Sequence, residues 1–167
     1  MKEIDVRRPP FLKCDRRRAL LAVCALGTNL VAVGYASAVT LPAPASLQLE
    51  LADALKAGQP LVLMVSLDGC PYCKIARENY LGPLVREQGL RVVQINMQHR
   101  EPLKDLQGRD TTQAQLIAGL KVSVAPTLLF YGRGGQEVAP RLEGMSSLDF
   151  YGAYLEQRVQ TARQTLR

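Results

Sequence analysis

The stretch SLDGCPYCKIA, residues 66–76, follows a run of apolar residues and sets two cysteines three positions apart. The run itself, Leu61–Leu67, has the length and unbroken hydrophobicity of a strand that is buried on both faces. Pro71 suits the first turn of a following helix, because its φ is fixed and it has no N–H to leave unpaired. The pattern therefore predicts a strand, a short turn and a helix that begins at Cys70.

This placement predicts unequal roles for the two cysteines. Unpaired N–H groups and the positive end of the helix dipole stabilise negative charge at a helix N-terminus, so we expect Cys70 to be a nucleophilic thiolate. Cys73 lies one turn further into the helix, where we expect it to be less exposed and able to attack a mixed disulfide on Cys70. Tyr72, between them, is a candidate contact for partner proteins.

Two other interpretations of the pair are weaker. Structural zinc takes four ligands, and the chain after residue 38 adds only His99 and carboxylates at no diagnostic spacing. A structural disulfide between residues three apart closes a very small loop, so it removes little entropy from the unfolded chain. We therefore predict a redox centre at Cys70 and Cys73, with no metal and no other cofactor.

The rest of the chain alternates between helix and strand patterns. Residues 98–110 are polar and are interpreted as a surface connection. Asp110 or Thr111 is expected to cap the helix that follows, and Ser146 with Asp149 has the spacing of a capping box. Helices are predicted at 46–58, at 70–88 with a break or kink at Pro83, at 111–120 and at 147–166, and strands at 61–67, at 90–97 and on either side of the turn 132–135. This order predicts an α/β fold with a central mixed β-sheet flanked by helices on both faces.

The first 38 residues predict an export signal. Arg16–Arg18 precede an uncharged apolar stretch, residues 19–38, which ends in small residues at the two positions that a signal peptidase reads. Cleavage after Ala38 would leave an extended, proline-containing linker at 39–45 before a domain at 46–167. The alternative is a retained inner-membrane anchor facing the periplasm, because twenty apolar residues can span a bilayer. With cleavage we expect a periplasmic or secreted protein, exported by the general or the twin-arginine route.

The composition argues against nucleic acid as the partner. Of the 167 residues, 47% are hydrophobic and 22% charged, which is ordinary for one globular domain with a short appendage. The net charge is +6: residues 1–38 contribute +4 (seven basic, three acidic) and residues 39–167 only +2 (fourteen basic, twelve acidic). No basic cluster is interleaved with aromatic residues. We expect protein partners, and a monomer, because residues 39–58 are too few for a separate dimerisation domain.

Three segments together resemble the thioredoxin superfamily: GCPYC after its strand, VSVAPTLLFY, and GRGGQEVAPRLEG before a final helix. The resemblance covers roughly residues 46–160, and the leader and the hairpin look most similar to exported bacterial members. It implies a thioredoxin-like fold and a thiol–disulfide oxidoreductase that acts on protein disulfides outside the cytoplasm, with a redox partner protein. It also implies a cis peptide bond before Pro126, with Ala125 and Pro126 packed beside the cysteines.

The chain departs from thioredoxin itself in several respects. It has no Trp, and its Pro-Tyr between the cysteines is similar to glutaredoxins, which leaves a glutathione-dependent enzyme as an alternative, beside a non-catalytic binding module. The buried Asp and Lys that assist thiol exchange in thioredoxin would fall at Met64 and Gln94, so that acid–base pair is missing. Tyr151 and Tyr154 are expected to pack on the final helix, and His99 to lie at the surface. The charged residues nearest the cysteines are interpreted as solvated groups that could tune them: Asp68, Lys74, Arg77 and Glu78.

Overall fold

A mixed β-sheet forms the centre of the computed structural model, which describes residues 40–167; the predicted leader, residues 1–38, lies outside the described residues. The strands are β1 (Leu61–Ser66), β2 (Arg91–Asn96), β3 (Pro102–Lys104), β4 (Asp110–Thr112), β5 (Thr127–Tyr131) and β6 (Glu137–Glu143). β1 runs parallel to β2 and antiparallel to β5, which pairs antiparallel with β6. The four long strands therefore form one sheet in the order β2-β1-β5-β6, while β3 and β4 make a separate hairpin.

Helices cover both faces of this sheet. They are α1 (Leu47–Lys56), α2 (Pro71–Ile75), α3 (Gly82–Gln88), α4 (Gln113–Gly119) and α5 (Leu148–Thr165). Alternate side chains of β1 enter two hydrophobic clusters: Val62 and Met64 join residues of α2 and α5, whereas Leu61, Leu63 and Val65 join residues of α1 and α4. The predicted mixed sheet with helices on both faces is confirmed. Within residues 40–167, none of the helices combines the length and apolar character needed to cross a bilayer.

The helical segment after the cysteines is interrupted, as the sequence predicts. α2 ends at Ile75, a π-helical turn spans Ala76–Leu81, and α3 begins at Gly82 with Pro83 in its first turn. Proline has no N–H to donate to the preceding turn, so regular α-helical hydrogen bonding cannot run through this point. The result is a short first helix whose only fully buried residue is Cys73.

The connection between β2 and α4 is more ordered than its polar sequence indicates. The polar sequence of residues 98–110 predicts a surface insertion or connection, and these residues contain β3 and lead into β4, with the turn between the two strands held by Asp105. The expected cap of α4 at Asp110 or Thr111 is wrong. Thr112 caps it: its hydroxyl oxygen accepts the Gln115 N–H and the Gln115 side chain accepts the Thr112 N–H, both at 3.3 Å.

The start of α5 also differs from the expected capping box. Ser147, rather than Ser146, is the N-cap residue, and its side chain makes no capping hydrogen bond. Its carbonyl oxygen still accepts the Tyr151 N–H at 3.1 Å, which begins the helix. A capping box requires suitable side-chain rotamers as well as the right spacing. The spacing of Ser146 and Asp149 does not by itself determine the rotamers of these two side chains.

The segment expected to be a linker packs onto the domain. Leu41 is 6% exposed and belongs to the cluster on the α2 and α5 side of the sheet. The carbonyl oxygen of Pro42 accepts the N–H of Gln94 at 2.9 Å, so residues 40–45 run along the outer side of β2. The chain therefore enters the domain along an edge strand.

Candidate active site

The turn between β1 and α2 presents Cys70 at the start of the helix. Gly69 has a φ of +71°, a conformation that glycine adopts without steric cost, and the Cys70 N–H donates to the Leu67 carbonyl oxygen at 3.2 Å. Cys70 is the N-cap residue of α2 and Pro71 is its first helical residue. The Cys70 sulfur accepts the backbone N–H of Cys73 at 3.2 Å, so a helix N-terminal donor reaches this sulfur as the sequence predicts.

A second loop, distant in sequence, meets the first at Cys70. The Ala125–Pro126 peptide bond is cis, and the Cys70 thiol faces the carbonyl oxygen of Ala125 with sulfur and oxygen 3.9 Å apart. The hydroxyl of Thr127 donates to the Val124 carbonyl oxygen at 2.7 Å, which holds the turn in this shape. The predicted cis bond and its position against Cys70 are confirmed.

The two sulfurs have different surroundings. Both cysteines are free thiols, but Cys70 is partly exposed whereas Cys73 is 1% exposed. Burial raises the pKa of the Cys73 thiol, and the hydrogen bond with Cys70 raises it further. Cys73 is therefore buried and held toward its protonated form, while Cys70 can be approached from solvent.

Apolar and aromatic side chains close the space behind Cys73. The same hydrophobic cluster contains Met64, which is fully buried at the position where thioredoxin would have its acidic residue, and Tyr151 from α5. The Tyr151 hydroxyl is buried and has no hydrogen-bond partner among the described residues. Burial raises the pKa of Tyr151, and the neighbouring Cys73 raises it further. Tyr151 is buried as expected, whereas Tyr154 is 47% exposed and packs beside Phe150 on the surface of α5, with the ring centroids 6.5 Å apart.

An open cavity of about 500 Å³ lies beside the cysteines. Both cysteines line it, together with Thr40 and Leu41 from the N-terminal segment. The four charged residues singled out in the sequence also line it: Asp68, Lys74, Arg77 and Glu78. The Arg77 guanidinium donates to the Gln94 side-chain oxygen at 2.8 Å, so the position of thioredoxin's lysine is occupied here by a neutral acceptor.

Side chains at the end of β2 reach the loop before Cys70, and the sequence alone did not identify them as part of the site. Asn96 donates to the Asp68 carboxylate at 2.6 Å, and His99 contacts the other oxygen of that carboxylate at 3.0 Å. His99 is half-exposed as expected, but it is not simply solvated. The predicted strand topology could have indicated this contact, because the carboxyl ends of neighbouring parallel strands lie at the same edge of a sheet.

The surface around Cys70 is apolar on two sides. Tyr72 is 49% exposed next to the nucleophile position, and Val124, just before the cis-proline turn, is 47% exposed. Exposed aromatic and aliphatic side chains of this kind are suited to contacts with another protein. Across residues 40–167, no group of three His, Cys, Asp or Glu side chains is arranged to hold a metal ion.

Comparison with solved structures gives several thioredoxins and related proteins. Trxlp from Edwardsiella tarda is 31% identical, with 62% of this chain and 88% of that chain covered and a TM-score of 0.43. The periplasmic thioredoxin SoxS from Paracoccus pantotrophus is 21% identical, with 62% and 99% covered and a TM-score of 0.42. A thioredoxin from Thermus thermophilus is 20% identical, with 71% and 86% covered and a TM-score of 0.49.

The family comparison is more direct. No curated protein gives a significant match to the sequence. Residues 47–158 match the family model of the thioredoxin-like domain, a range that contains the whole sheet, the cysteine pair and the cis-proline turn. Homologues with this fold are generally oxidoreductases. The mixed sheet, the cysteines at the start of α2 and the family match agree, and the chain belongs to the thioredoxin-like family.

Proposed function

We propose that the protein is a thiol–disulfide oxidoreductase that acts on protein disulfides outside the cytoplasm, with Cys70 as nucleophile and Cys73 as resolving thiol. The observation that carries the proposal is the inequality of the two sulfurs. The Cys70 sulfur is partly exposed and accepts a helix N–H at 3.2 Å, whereas Cys73 is 1% exposed and has a raised pKa. A substrate disulfide can therefore reach Cys70 first, and only Cys73 is placed to release it.

The exchange takes place in two substitutions at sulfur. In the reducing direction the Cys70 thiolate attacks one sulfur of a substrate disulfide, a mixed disulfide forms, and the other substrate sulfur leaves as a thiolate. Cys73 then loses its proton and attacks the Cys70 sulfur, so that the Cys70–Cys73 disulfide forms and the second substrate thiolate leaves. Two electrons pass from the dithiol to the substrate, and the same steps in reverse oxidise a substrate dithiol.

The supporting residues have separate roles in this proposal. Pro71 begins α2 without leaving an N–H unpaired, and its fixed φ orders the turn between the cysteines. Tyr72 offers an exposed aromatic ring to a bound protein. Ala125 and Pro126 form a backbone wall against the Cys70 sulfur, along which a substrate chain can lie. Met64 supplies no carboxylate behind Cys73, and Glu78 is the carboxylate that lines the same cavity as Cys73 together with Asp68.

Trapping of a substrate tests the two roles directly. Cys73→Ser should accumulate a mixed disulfide between Cys70 and its protein substrate, because no resolving thiol remains. Cys70→Ser is the matched control and should trap nothing. The measurement is a non-reducing gel of cells alkylated before lysis, with the Cys70 peptide identified by mass spectrometry. Trapping by Cys70→Ser instead of Cys73→Ser would contradict the assignment.

Two further measurements separate the proposal from its alternatives. A reduction potential of the Cys70–Cys73 pair below about −300 mV is typical of inert structural disulfides and would favour a non-catalytic binding module. Turnover of glutathione mixed disulfides by Cys73→Ser would favour the glutathione-dependent enzyme instead. A higher potential without glutathione turnover supports exchange with protein substrates.

The proposed location rests on the leader. Its arginines, apolar stretch and small residues before Val39 are typical of a signal peptide. Outside the cytoplasm an oxidoreductase meets protein disulfides as ordinary substrates, because structural disulfides form and persist there.

A further inference from the structure

A polar network joins the loop before Cys70 to the end of β2. Asp68 is two residues before Cys70, and both line the same cavity. One oxygen of the Asp68 carboxylate accepts the side-chain N–H of Asn96 at 2.6 Å, and the other lies 3.0 Å from Nε2 of His99. The carboxylate is therefore held at both oxygens, although most of its surface is exposed to solvent.

The Asn96 end of this network is rigid. Asn96 is 4% exposed, and its side-chain oxygen accepts the Gln98 N–H at 2.9 Å. Its backbone N–H donates to the side-chain oxygen of Gln113 at 2.7 Å, and Gln113 is itself 5% exposed. Buried polar groups whose hydrogen bonds are all made restrict one another to a single arrangement. Asn96 thus offers a fixed donor to the Asp68 carboxylate.

His99 lies between two carboxylates. Its Nε2 faces Asp68 at 3.0 Å and its Nδ1 faces Glu101 at 3.5 Å. A neutral imidazole carries a proton on one nitrogen only, so only the imidazolium donates toward both carboxylates. The ring therefore lies where a protonated imidazole would place its positive charge next to Asp68. Two other cations line the cavity, Lys74 and Arg77, and the Arg77 guanidinium is directed to Gln94.

We propose that His99 and Asn96 are positioning residues that hold and neutralise the Asp68 carboxylate, so that its negative charge does not oppose formation of the Cys70 thiolate. The inference rests on the proposed role of Cys70 as nucleophile. A free carboxylate near a thiol favours the protonated thiol, because the thiolate would be a second negative charge at short range. With the carboxylate bound to the Asn96 donor and to the His99 ring, the N–H of Cys73 can stabilise the Cys70 thiolate without this opposition.

Two substitutions in the full-length protein should then have opposite effects. Asp68→Asn keeps the shape and removes the charge, so the Cys70 thiolate becomes more populated. His99→Gln keeps a hydrogen-bond donor and removes a ring that carries positive charge when it is protonated, so the thiolate becomes less populated. For unit charges that line one cavity near the surface, and with the partial loss of nucleophilicity that accompanies a more stable thiolate, each change should alter the alkylation rate of Cys70 by about twofold to fivefold.

The measurement is the rate of iodoacetamide modification of Cys70 at pH 7, followed by mass spectrometry so that each cysteine is resolved. Asp68→Asn should speed it and shift the reduction potential to a less negative value, whereas His99→Gln should slow it and shift the potential the other way. In the Asp68→Asn background, His99→Gln should have less than half its effect. Asp110→Asn, an exposed carboxylate in the hairpin paired with Lys104, is the matched control and should leave the rate unchanged.

The outcomes separate this inference from the proposed function. If Cys70 reacts faster than Cys73 but the rate does not respond to Asp68→Asn or His99→Gln, the network has no electrostatic role and the inference is wrong. If both substitutions change the rate in the same direction, the inference is also wrong, because a general loosening of the loop would explain the result. If Cys70 does not react faster than Cys73 in the unsubstituted protein, the proposed nucleophile itself is wrong.

Discussion

The chemistry of the cysteine pair depends on what surrounds each sulfur. Cys70 receives a backbone hydrogen bond and keeps access to solvent, whereas Cys73 lies in the hydrophobic cluster and has a raised pKa. A low local polarity disfavours a charged thiolate, so Cys73 reacts most readily when the Cys70 sulfur beside it is already part of a disulfide. The burial of Cys73 and the exposure of Cys70 therefore set the order of the two thiol–disulfide exchange steps.

This difference predicts the order of modification. At pH 7 iodoacetamide should modify Cys70 at least about tenfold faster than Cys73, because reactivity requires both exposure and thiolate character. Since the pKa of Cys73 is raised, its modification should remain slow until the pH exceeds about 8.5, the ordinary value for a thiol. Site-resolved mass spectrometry measures both rates, and the protein unfolded in urea, where the two should react alike, is the control. Faster modification of Cys73 in the folded protein would contradict this prediction.

Tyr151 predicts an effect on stability. Its buried hydroxyl has no hydrogen-bond partner within residues 40–167, so Tyr151→Phe should leave the free energy of unfolding unchanged or raise it by up to about 1 kcal/mol. Tyr80→Phe is the matched control, because the Tyr80 hydroxyl donates to the Leu148 carbonyl oxygen at 3.0 Å and its loss should lower stability by up to about 1 kcal/mol. Urea unfolding of the two variants gives the comparison. A loss of more than 1 kcal/mol in Tyr151→Phe would mean that its hydroxyl is bonded after all.

At the scale of the elements, the site forms where three strands meet one edge of the sheet. β1 ends at Ser66 just before the cysteine loop, parallel β2 ends at Asn96, and antiparallel β5 begins at Thr127 just after the cis-proline turn. The strands and the cysteine turn follow from hydrophobic runs and from Pro71, which act locally. The Asp68–Asn96 contact could not be predicted from such local patterns, because it depends on how the ends of two strands are placed relative to each other and on which side chains meet there.

The β3–β4 hairpin depends on one carboxylate. Asp105 is 7% exposed, and its oxygens accept the N–H groups of Gln107 and Arg109 and the Arg109 guanidinium, at 2.8–2.9 Å. Burial would raise the pKa of Asp105, but the hydrogen bonds from Arg109 and Gln107 outweigh burial and lower it. Asp105→Ala should therefore cost about 1–3 kcal/mol of stability at pH 7. Urea unfolding measures this, with the exposed Asp110→Ala as a control that should cost less than about 1 kcal/mol.

The pH dependence of the stability lost in Asp105→Ala follows from the direction in which the Asp105 pKa is shifted. Because the pKa of Asp105 is lower in the folded protein, its stabilising contribution is present above about pH 3.9, the ordinary value for aspartate. The contribution is lost as the pH falls through the lower, folded-state pKa. The difference in free energy of unfolding between Asp105→Ala and the unsubstituted protein should therefore become smaller in strong acid. A difference that becomes larger there would contradict the prediction.

For the whole molecule, the sequence predicts the architecture better than the details of its connections. Apart from the β3–β4 hairpin, the helix and strand order is confirmed, as are the mixed sheet and the cis bond at Pro126, because the long elements have clear hydrophobic patterns and the family motif fixes the proline. The caps at Thr112 and Ser147 and the hairpin within residues 98–112 differ from the prediction. Short polar segments carry little periodic signal, and tertiary contacts decide their structure.

Processing of the leader is a prediction about the whole chain. N-terminal sequencing of exported protein should begin at Val39, because the small residues before it suit a signal peptidase. Ala38→Leu, which puts a bulky residue at the cleavage position, should reduce this product and is the matched control. An intact Met1 in the membrane fraction of the unsubstituted protein would instead establish a retained anchor.

The path of residues 40–45 also decides how the protein can be handled. Thr40 and Leu41 line the cavity beside the cysteines, whereas Leu166, near the other terminus, packs against Gly132 beyond the far end of β5. An affinity tag or fluorophore fused ahead of residue 40 would therefore emerge within reach of Cys70 and obstruct the partners that an assay is meant to detect. A label placed after Arg167 leaves that entrance clear, so C-terminal fusions are the appropriate reporters of this protein's redox chemistry.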